Sequence, residues 1–535
     1  MEKSMPGFLS FSKKGGHEYG FICFSTWVPK TEVSQGSVHK KFVTLGRVLD
    51  KTKLIFRNRK QGIIQVDPDT LEIKSPPPEY EPPLIPRKKR ATKKGAIEMS
   101  LQANGHVPLS LDFGDCFFLD NLVLQTPIKA SLPKLVVSSP DSLHALLCYY
   151  MSAPYNNNHA AGWLEGNYAR LLYPKANLSS QRISELLAEL GTEENYRIFF
   201  SHYLPACQEH GANTDKVIFD STGLPNSIHF PLTAISRHNG EYSNEVRLLY
   251  VVDQATGYPI FFRYFPGNVI DATAILHLMA ELSVYRMNLR CVLVDAGFNT
   301  NKDLKALYDN HVDVVTRLSR NRKAYKNLVQ EHRNSLEDID NLVVYGSRCL
   351  YIKSSSCEIE DEDGNTFVGT GYVCLDPDRK ASEQQKALHK FARGELSREE
   401  LNEALKVTGL FVLFSTQPVD TKDILKLYYL RQNVEQVFDI CKNDANILPL
   451  SVRSEETFRG HLLLTFICTV LFREMQMRMQ DLPFSPREGL INLRNQKVQV
   501  FDSDGITTEP TKKINEMYKL LGLTSPIRFH LPRHA

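Results

Sequence analysis

Tryptophan is almost missing from this chain: Trp27 and Trp163 are the only two among 535 residues. Cysteine is present but never in a CxxC pair, which excludes a zinc ribbon or a dithiol redox centre. No secretory signal is evident, so reduced thiols in a cytosolic compartment are expected. Long apolar runs are lacking too. The longest, 462–472, is too short to cross a bilayer and reads as a core helix, so no membrane partner is expected. Charge of one sign is scarce: 64 Lys and Arg against 61 Asp and Glu leave +3, so affinity for a polyanion must come from local patches. No internal repeat is apparent. The remainder is ordinary globular composition, 42% hydrophobic and 23% charged, long enough for roughly two to four domains.

Residues 1–75 alternate polar and apolar between turn residues and predict a β-rich module. Residues 76–104 form a linker, proline-rich at first and then basic, with Arg87, Lys88, Lys89 and Arg90 at the head of an acid-free run. That run is either a phosphate-binding arm or a solvated linker. Residues 105–210 read as mostly helical. One amphipathic helix from Ser180, with Gln181 and Arg182 near its start and Gly191 as its stop, suits either a DNA groove or core packing. Over 216–318 the pattern is strand, strand, strand, helix, strand, helix, strand, which describes an α/β mixed sheet. KVIFD ends in Asp220 and CVLVD in Asp295, and open α/β sheets place their sites at such strand ends. Asp253 also ends a strand, but QATG follows it, so turn formation suffices. Residues 326–416 look like a mainly β insertion, with an Asp363-Gly364 hairpin and a Ser397/Glu400 capping box. Residues 211–325 and 417–480 form the core around it, and 481–535 form a less informative tail.

The segment Thr421 to Lys442 is predicted to be one helix of about six turns, capped by Asp420 or Thr421. Tyr428, Arg431, Glu435 and Lys442 project within roughly 60° of one another. Leu427, Val434, Val437, Phe438 and Cys441 form an adjacent apolar stripe. Asp220, Asp295 and Glu435 can converge on one site. Clustered carboxylates repel one another without a cation, and hard oxygen ligands suit Mg²⁺ or Mn²⁺.

VIFDSTG, CVLVDAGF and the spacing Tyr428-x2-Arg431-x3-Glu435-x6-Lys442 resemble the DDE transposases of bacterial insertion sequences, specifically the insertion-sequence-four superfamily. FPGN at 265–268 and VRSEETFRGHLLL at 452–464 resemble the same group. The resemblance spans about half of the chain. It implies a ribonuclease-H-like catalytic core, a mixed sheet flanked by helices, interrupted by the β insertion. It makes Asp220, Asp295 and Glu435 the metal-binding catalytic triad, with Mg²⁺ as cofactor and Mn²⁺ as a substitute. Tyr428, Arg431 and Lys442 become DNA-phosphate contacts. It implies cut-and-paste transposition at terminal inverted repeats, a homodimer holding two DNA ends, and a bacterial, nucleoid-associated cytoplasmic setting. A nuclease on the same core, or a catalytically decayed DNA-binding protein, are the alternatives. Some relatives hold a flipped base on an aromatic of the insertion. Both tryptophans lie outside it, which leaves Tyr345, Tyr351, Tyr372 or Phe367 for that role.

Overall fold

The computed structural model describes residues 3–4, 7–14, 17–28, 37–58, 61–75, 109–153, 156–225, 233–238, 241–267, 271–295, 300–361, 363–445, 447, 454–501 and 504–531. The chain divides into two compact units, Met1–Ala103 and Asn104–Ala535. In the first, His17–Val28 and Ser37–Asp50 pair antiparallel, and three shorter strands continue the meander. Alternation puts Ile22, Leu45, Phe56, Ile64 and Val66 on one side, where they close a small apolar cluster. The basic run with Arg87, Lys88, Lys89 and Arg90 lies outside the described residues.

The second unit opens with the expected helices: α1 (Gly114–Leu124), α2 (Pro140–Ser152), α3 (Ser180–Leu190) and α4 (Glu193–Glu209). Two α4 tyrosines tie this layer to the sheet, as the Tyr196 and Tyr203 hydroxyls donate to the carbonyls of Phe262 and Pro259, each at 2.6 Å. In α3, Ile183, Leu186, Leu187 and Leu190 are buried, while Gln181 and Arg182 are both engaged by Glu185. Of the two roles open to α3, core packing is the one its neighbours show.

Ten strands then form one mixed sheet: β1 (Lys216–Pro225), β2 (Ala234–His238), β3 (Glu241–Asp253), β4 (Pro259–Pro266), β5 (Cys291–Val294), β6 (Asp313–Leu318), β7 (Leu342–Tyr345), β8 (Arg348–Glu360), β9 (Thr366–Leu375) and β10 (Leu410–Ser415). The order across it is β2-β3-β1-β5-β6-β10-β9-β8-β7, with β4 also on β3. β3 runs antiparallel to both β1 and β4, whereas β5 runs parallel to both β1 and β6. The parallel pairs need helical crossovers, supplied by α5 (Asp271–Val284) before β5 and α6 (Asn301–Asp309) before β6. The predicted 216–318 order is present, with β2 as an additional short strand.

Residues 326–416 interrupt the core in sequence but continue its sheet in space. β10, LFVLFS, is buried at every position, so it needs partners on both edges and cover on both faces. β6 takes one edge and β9 the other. Two helices, α7 (Pro377–Ala392) and α8 (Arg398–Lys406), lie between β9 and β10, and the Ser397/Glu400 capping box opens α8. Next come α9 (Ile424–Tyr429), α10 (Gln432–Asp439) and the long α11 (Glu455–Arg478). All of 462–472 in α11 is buried, as a core helix requires. No helix among the described residues is long and apolar enough to cross a membrane. The tail is structured: Lys497–Phe501 pairs antiparallel with Leu109–Asp112, tying 481–535 to the helical layer.

α3 and α11 meet backbone to backbone. A Cβ on Gly460 would lie 1.8 Å from the Leu187 carbonyl oxygen, and one on Gly191 would lie 1.9 Å from that of Glu456. Neither obstacle is a flexible side chain, so the helices themselves would have to part. Gly460→Ala should therefore destabilise by about 1–3 kcal/mol, the usual cost of overpacking. Urea unfolding measures this, and an unchanged midpoint would show that the crossing is loose.

Candidate active site

β1 and β5 are paired in parallel through Phe219 and Val294. Asp220 and Asp295 are the next residue on each strand, so they stand at the same level on neighbouring strands, about 4.8 Å apart in backbone spacing. β5 ends there, as expected. β1 does not: it runs on to Pro225, because Ser221 to Pro225 still pair with β3. Asp220 is therefore inside a strand at the point where its neighbour on the β5 side has stopped.

The predicted six-turn helix is not continuous. α9 is entered without a side-chain cap at Asp423, while Asp420 accepts from the Lys422 amide at 2.8 Å. α9 ends at Tyr429, α10 starts at Gln432, and Ile440–Asp444 widens into a π-helix. At the join the amides of Arg431, Asn433 and Val434 bond three residues back, to Tyr428, Leu430 and Arg431. This is a 3₁₀-type tightening, a less favourable geometry that helices use in short pieces. It falls on the residue whose side chain makes three ion pairs, and those pairs offset it. Of the predicted apolar stripe, Val434, Val437, Phe438 and Cys441 are buried, and Leu427 is half-buried against the core. Phe438 packs edge-on to Tyr250 of β3 at 5.8 Å.

Arg431 gathers the three acids. Its Nη1 lies 3.0 Å from Asp220 Oδ2 and 3.5 Å from Asp295 Oδ2, and its Nη2 lies 2.9 Å from Glu435 Oε1. Asp220 also accepts from the Ser221 amide at 2.8 Å. Burial pushes the Asp220 carboxyl up to about 7, against the pull of Arg431. Burial also opposes the charge on Arg431, but Asp295 and Asp220 outweigh it and hold the guanidinium above its ordinary range. The three carboxyl groups thus share one cation, which offsets part of their repulsion, while burial still favours a proton on Asp220 near neutral pH.

Among the described residues no three His, Cys, Asp or Glu side chains stand close enough to share a metal ion as they are. The Arg431 guanidinium lies among the three carboxyl groups. The donor set nevertheless fits a hard divalent cation: three carboxylates from β1, β5 and α10 already converge on one positive centre.

The other expected residues divide. Lys442 is beside the triad, donating to Thr222 on β1 at 2.5 Å. Tyr428 is buried next to Arg431, and burial raises its phenol, with Asp295 adding to the effect. Asp253 holds a turn, accepting from the amides of Ala255 and Thr256. Of the four candidate aromatics of the insertion, Tyr345 stacks on Tyr429 of the signature segment at 5.1 Å, and Tyr351 is half-buried against the core. Tyr372 is fully buried, with its hydroxyl donated to the Val419 carbonyl, and Phe367 is buried as well. Sequence reasoning missed Arg317, Arg348 and Arg379, which line a cleft beside Glu435. An arginine inside the apolar strand DVVTRL was the available signal.

Residues 212–471 match the family model described as Transposase DDE domain, just under half of the chain. The match supports a DDE transposase, and transposition and DNA recombination with it. The chain is also similar to the cryo-EM structure of piggyBac transposase synaptic complex with hairpin DNA, at 11% identity and a TM-score of 0.37, covering 71% of this chain and 78% of that one. No curated protein matches it.

The ion-pair geometry has a direct consequence for cation binding. In Arg431→Ala no guanidinium competes for the carboxylates. Calorimetric titration of the DNA-free variant with Mn²⁺ should show binding retained and tightened roughly tenfold, the equivalent of one charge-assisted hydrogen bond that no longer has to break. Arg431→Lys should fall between the two. Loss of Mn²⁺ binding in the alanine variant would mean that Arg431 builds the cation site instead of occupying it.

Proposed function

We propose that the chain is a cut-and-paste transposase that cleaves DNA at terminal inverted repeats and transfers the freed strand into target DNA. The observation that carries this reading is the meeting of Asp220, Asp295 and Glu435, from three separate elements, on one cation. The family match over 212–471 supports the same reading. The spacing of Tyr428, Arg431, Glu435 and Lys442 supports placement in the insertion-sequence-four superfamily. Three antiparallel strands followed by two parallel ones support a ribonuclease-H-like core. A homodimer holding two DNA ends in a bacterial, nucleoid-containing cytoplasm is the setting that fits this activity.

Asp220, Asp295 and Glu435 would hold Mg²⁺, or Mn²⁺ in its place. When bound, the metal supplies Lewis-acid charge to the attacking and leaving oxygens of an in-line displacement. The chain's own residues do the positioning that phosphoryl transfer mostly requires. Released from the carboxylates, Arg431 offers a planar fork to a phosphate. Lys442, held at Thr222, adds a point charge on the same side. Tyr428 packs behind Arg431 and limits where the guanidinium can go.

Two measurements test this. Asp220→Ala, Asp295→Ala and Glu435→Ala should each abolish cleavage of DNA carrying the element ends while leaving gel-shift affinity within a few-fold of wild type. Near-normal turnover in any one of them with Mg²⁺ would remove that residue from the triad. Neutralising Arg87, Lys88, Lys89 and Arg90 together should flatten the salt dependence of duplex binding, by up to about 0.9 in slope for each phosphate no longer neutralised. An unchanged slope would make that run a solvated linker.

A further inference from the structure

Beside the triad a cleft of about 190 Å³ opens between β6, β10, the start of α7 and the signature segment. Its floor is Phe411 of β10. The Arg317 guanidinium lies over that ring at 5.5 Å, and the Arg379 guanidinium at 6.0 Å. Arg348 borders the far side, over Tyr429 at 5.9 Å. With Arg431, four arginines line a space that only two carboxylates, Asp376 and Glu435, also face.

These arginines are not equally committed. Arg348 is paired with Asp376, Arg379 with Glu383 at 2.7 Å, and Arg431 with the triad. Arg317 has no carboxylate partner among the described residues. It is half-buried on an interior strand, with its charge resting on an aromatic face. A half-buried cation with other cations beside it is poorly compensated unless an anion comes to it. Its position shows where that anion would lie. Thr316 pairs with Val294, so Arg317 follows Thr316 on β6 as Asp295 follows Val294 on β5. Arg317 therefore stands one strand over from Asp295, at the same level of the sheet.

We propose that this cleft is a binding site for one phosphodiester of a DNA strand that passes the triad, gripped by Arg317 and flanked by Arg379 and Arg348. The inference rests on the transposase reading and adds to it a phosphate position distinct from that of Arg431 and Lys442. The volume is below the roughly 300–1,000 Å³ of sites that enclose a whole organic ligand, so one small anionic group is what it takes. Asp376 and Glu383 hold Arg348 and Arg379 as walls. Arg317 is left to grip the phosphate, with a fork that a lysine does not reproduce.

The test uses the full chain and a fluorescein-labelled oligothymidylate of about twenty nucleotides, with binding followed by anisotropy across NaCl concentrations. Arg317→Ala should weaken binding and lower the magnitude of the log–log salt slope by about 0.7, the share of one phosphate on a single strand. Arg317→Lys should restore the slope but not the full affinity. Arg379→Gln, a change on the outer wall, should also weaken binding, and it carries the test if the alanine variant has a lowered thermal midpoint. Inorganic phosphate titrated at constant ionic strength should not displace the oligonucleotide; displacement would make this a free-phosphate site and overturn the strand assignment. Wild-type slopes in both Arg317→Ala and Arg379→Gln would overturn the cleft while leaving the transposase reading intact, provided that wild type still cleaves in a metal-dependent manner. A wild-type chain with no salt-dependent DNA binding would overturn both.

Discussion

Three carboxylates facing one another need a positive charge among them, and the site is arranged around that need. Two unit charges 4 Å apart interact by about 4 kcal/mol at an effective dielectric of about 20. A triad of acids left alone would take up a proton or move apart. Here the Arg431 guanidinium supplies the charge, with one nitrogen between Asp220 and Asp295 and the other on Glu435. This links an internal sheet position, a strand end and a helix into one electrostatic unit. Under the proposed function, any shift of Arg431 from the carboxylates toward a phosphate would couple cation binding to DNA binding.

The sheet makes the convergence possible. The switch from antiparallel to parallel pairing occurs at β1, and the two aspartates lie where the parallel β1–β5 pairing ends. β10, apolar throughout, extends the sheet beyond β6 and brings the α7 N-terminus and the arginine-lined cleft next to the signature segment. The 326–416 stretch is thus part of the wall of the site. Behind the sheet, α11 is buried almost throughout and meets α3 at a glycine pair, which fixes the helical layer against the core.

Much of this was legible in the residues because it follows from periodicity and spacing. Apolar runs ending in Asp220 and Asp295 marked two strands, and the spacing from Tyr428 to Lys442 picked out the segment that carries Glu435. The turn role of Asp253 followed from the QATG after it. Three features were not legible. The break in the signature helix falls at Arg431, whose ion pairs to distant strands local propensity does not contain. The continuity of β7 to β10 with the core depends on edge pairing, and an alternating or apolar run does not name its partner. The cleft combines Arg317, Arg348 and Arg379 from three stretches whose meeting is purely tertiary. A lone arginine in DVVTRL was visible, but it is also a common way for a strand to bury an aliphatic stem.

The central claim is that this site joins DNA strands as well as cutting them. The most direct measurement supplies the chain with Mg²⁺, a supercoiled plasmid, and a duplex ending in a candidate terminal inverted repeat, pre-cut so that its 3′-hydroxyl is free. The account predicts covalent joining of the duplex to the plasmid, abolished in Asp295→Ala. Plasmid nicking without joined product, or joining that persists in Asp295→Ala, would contradict it.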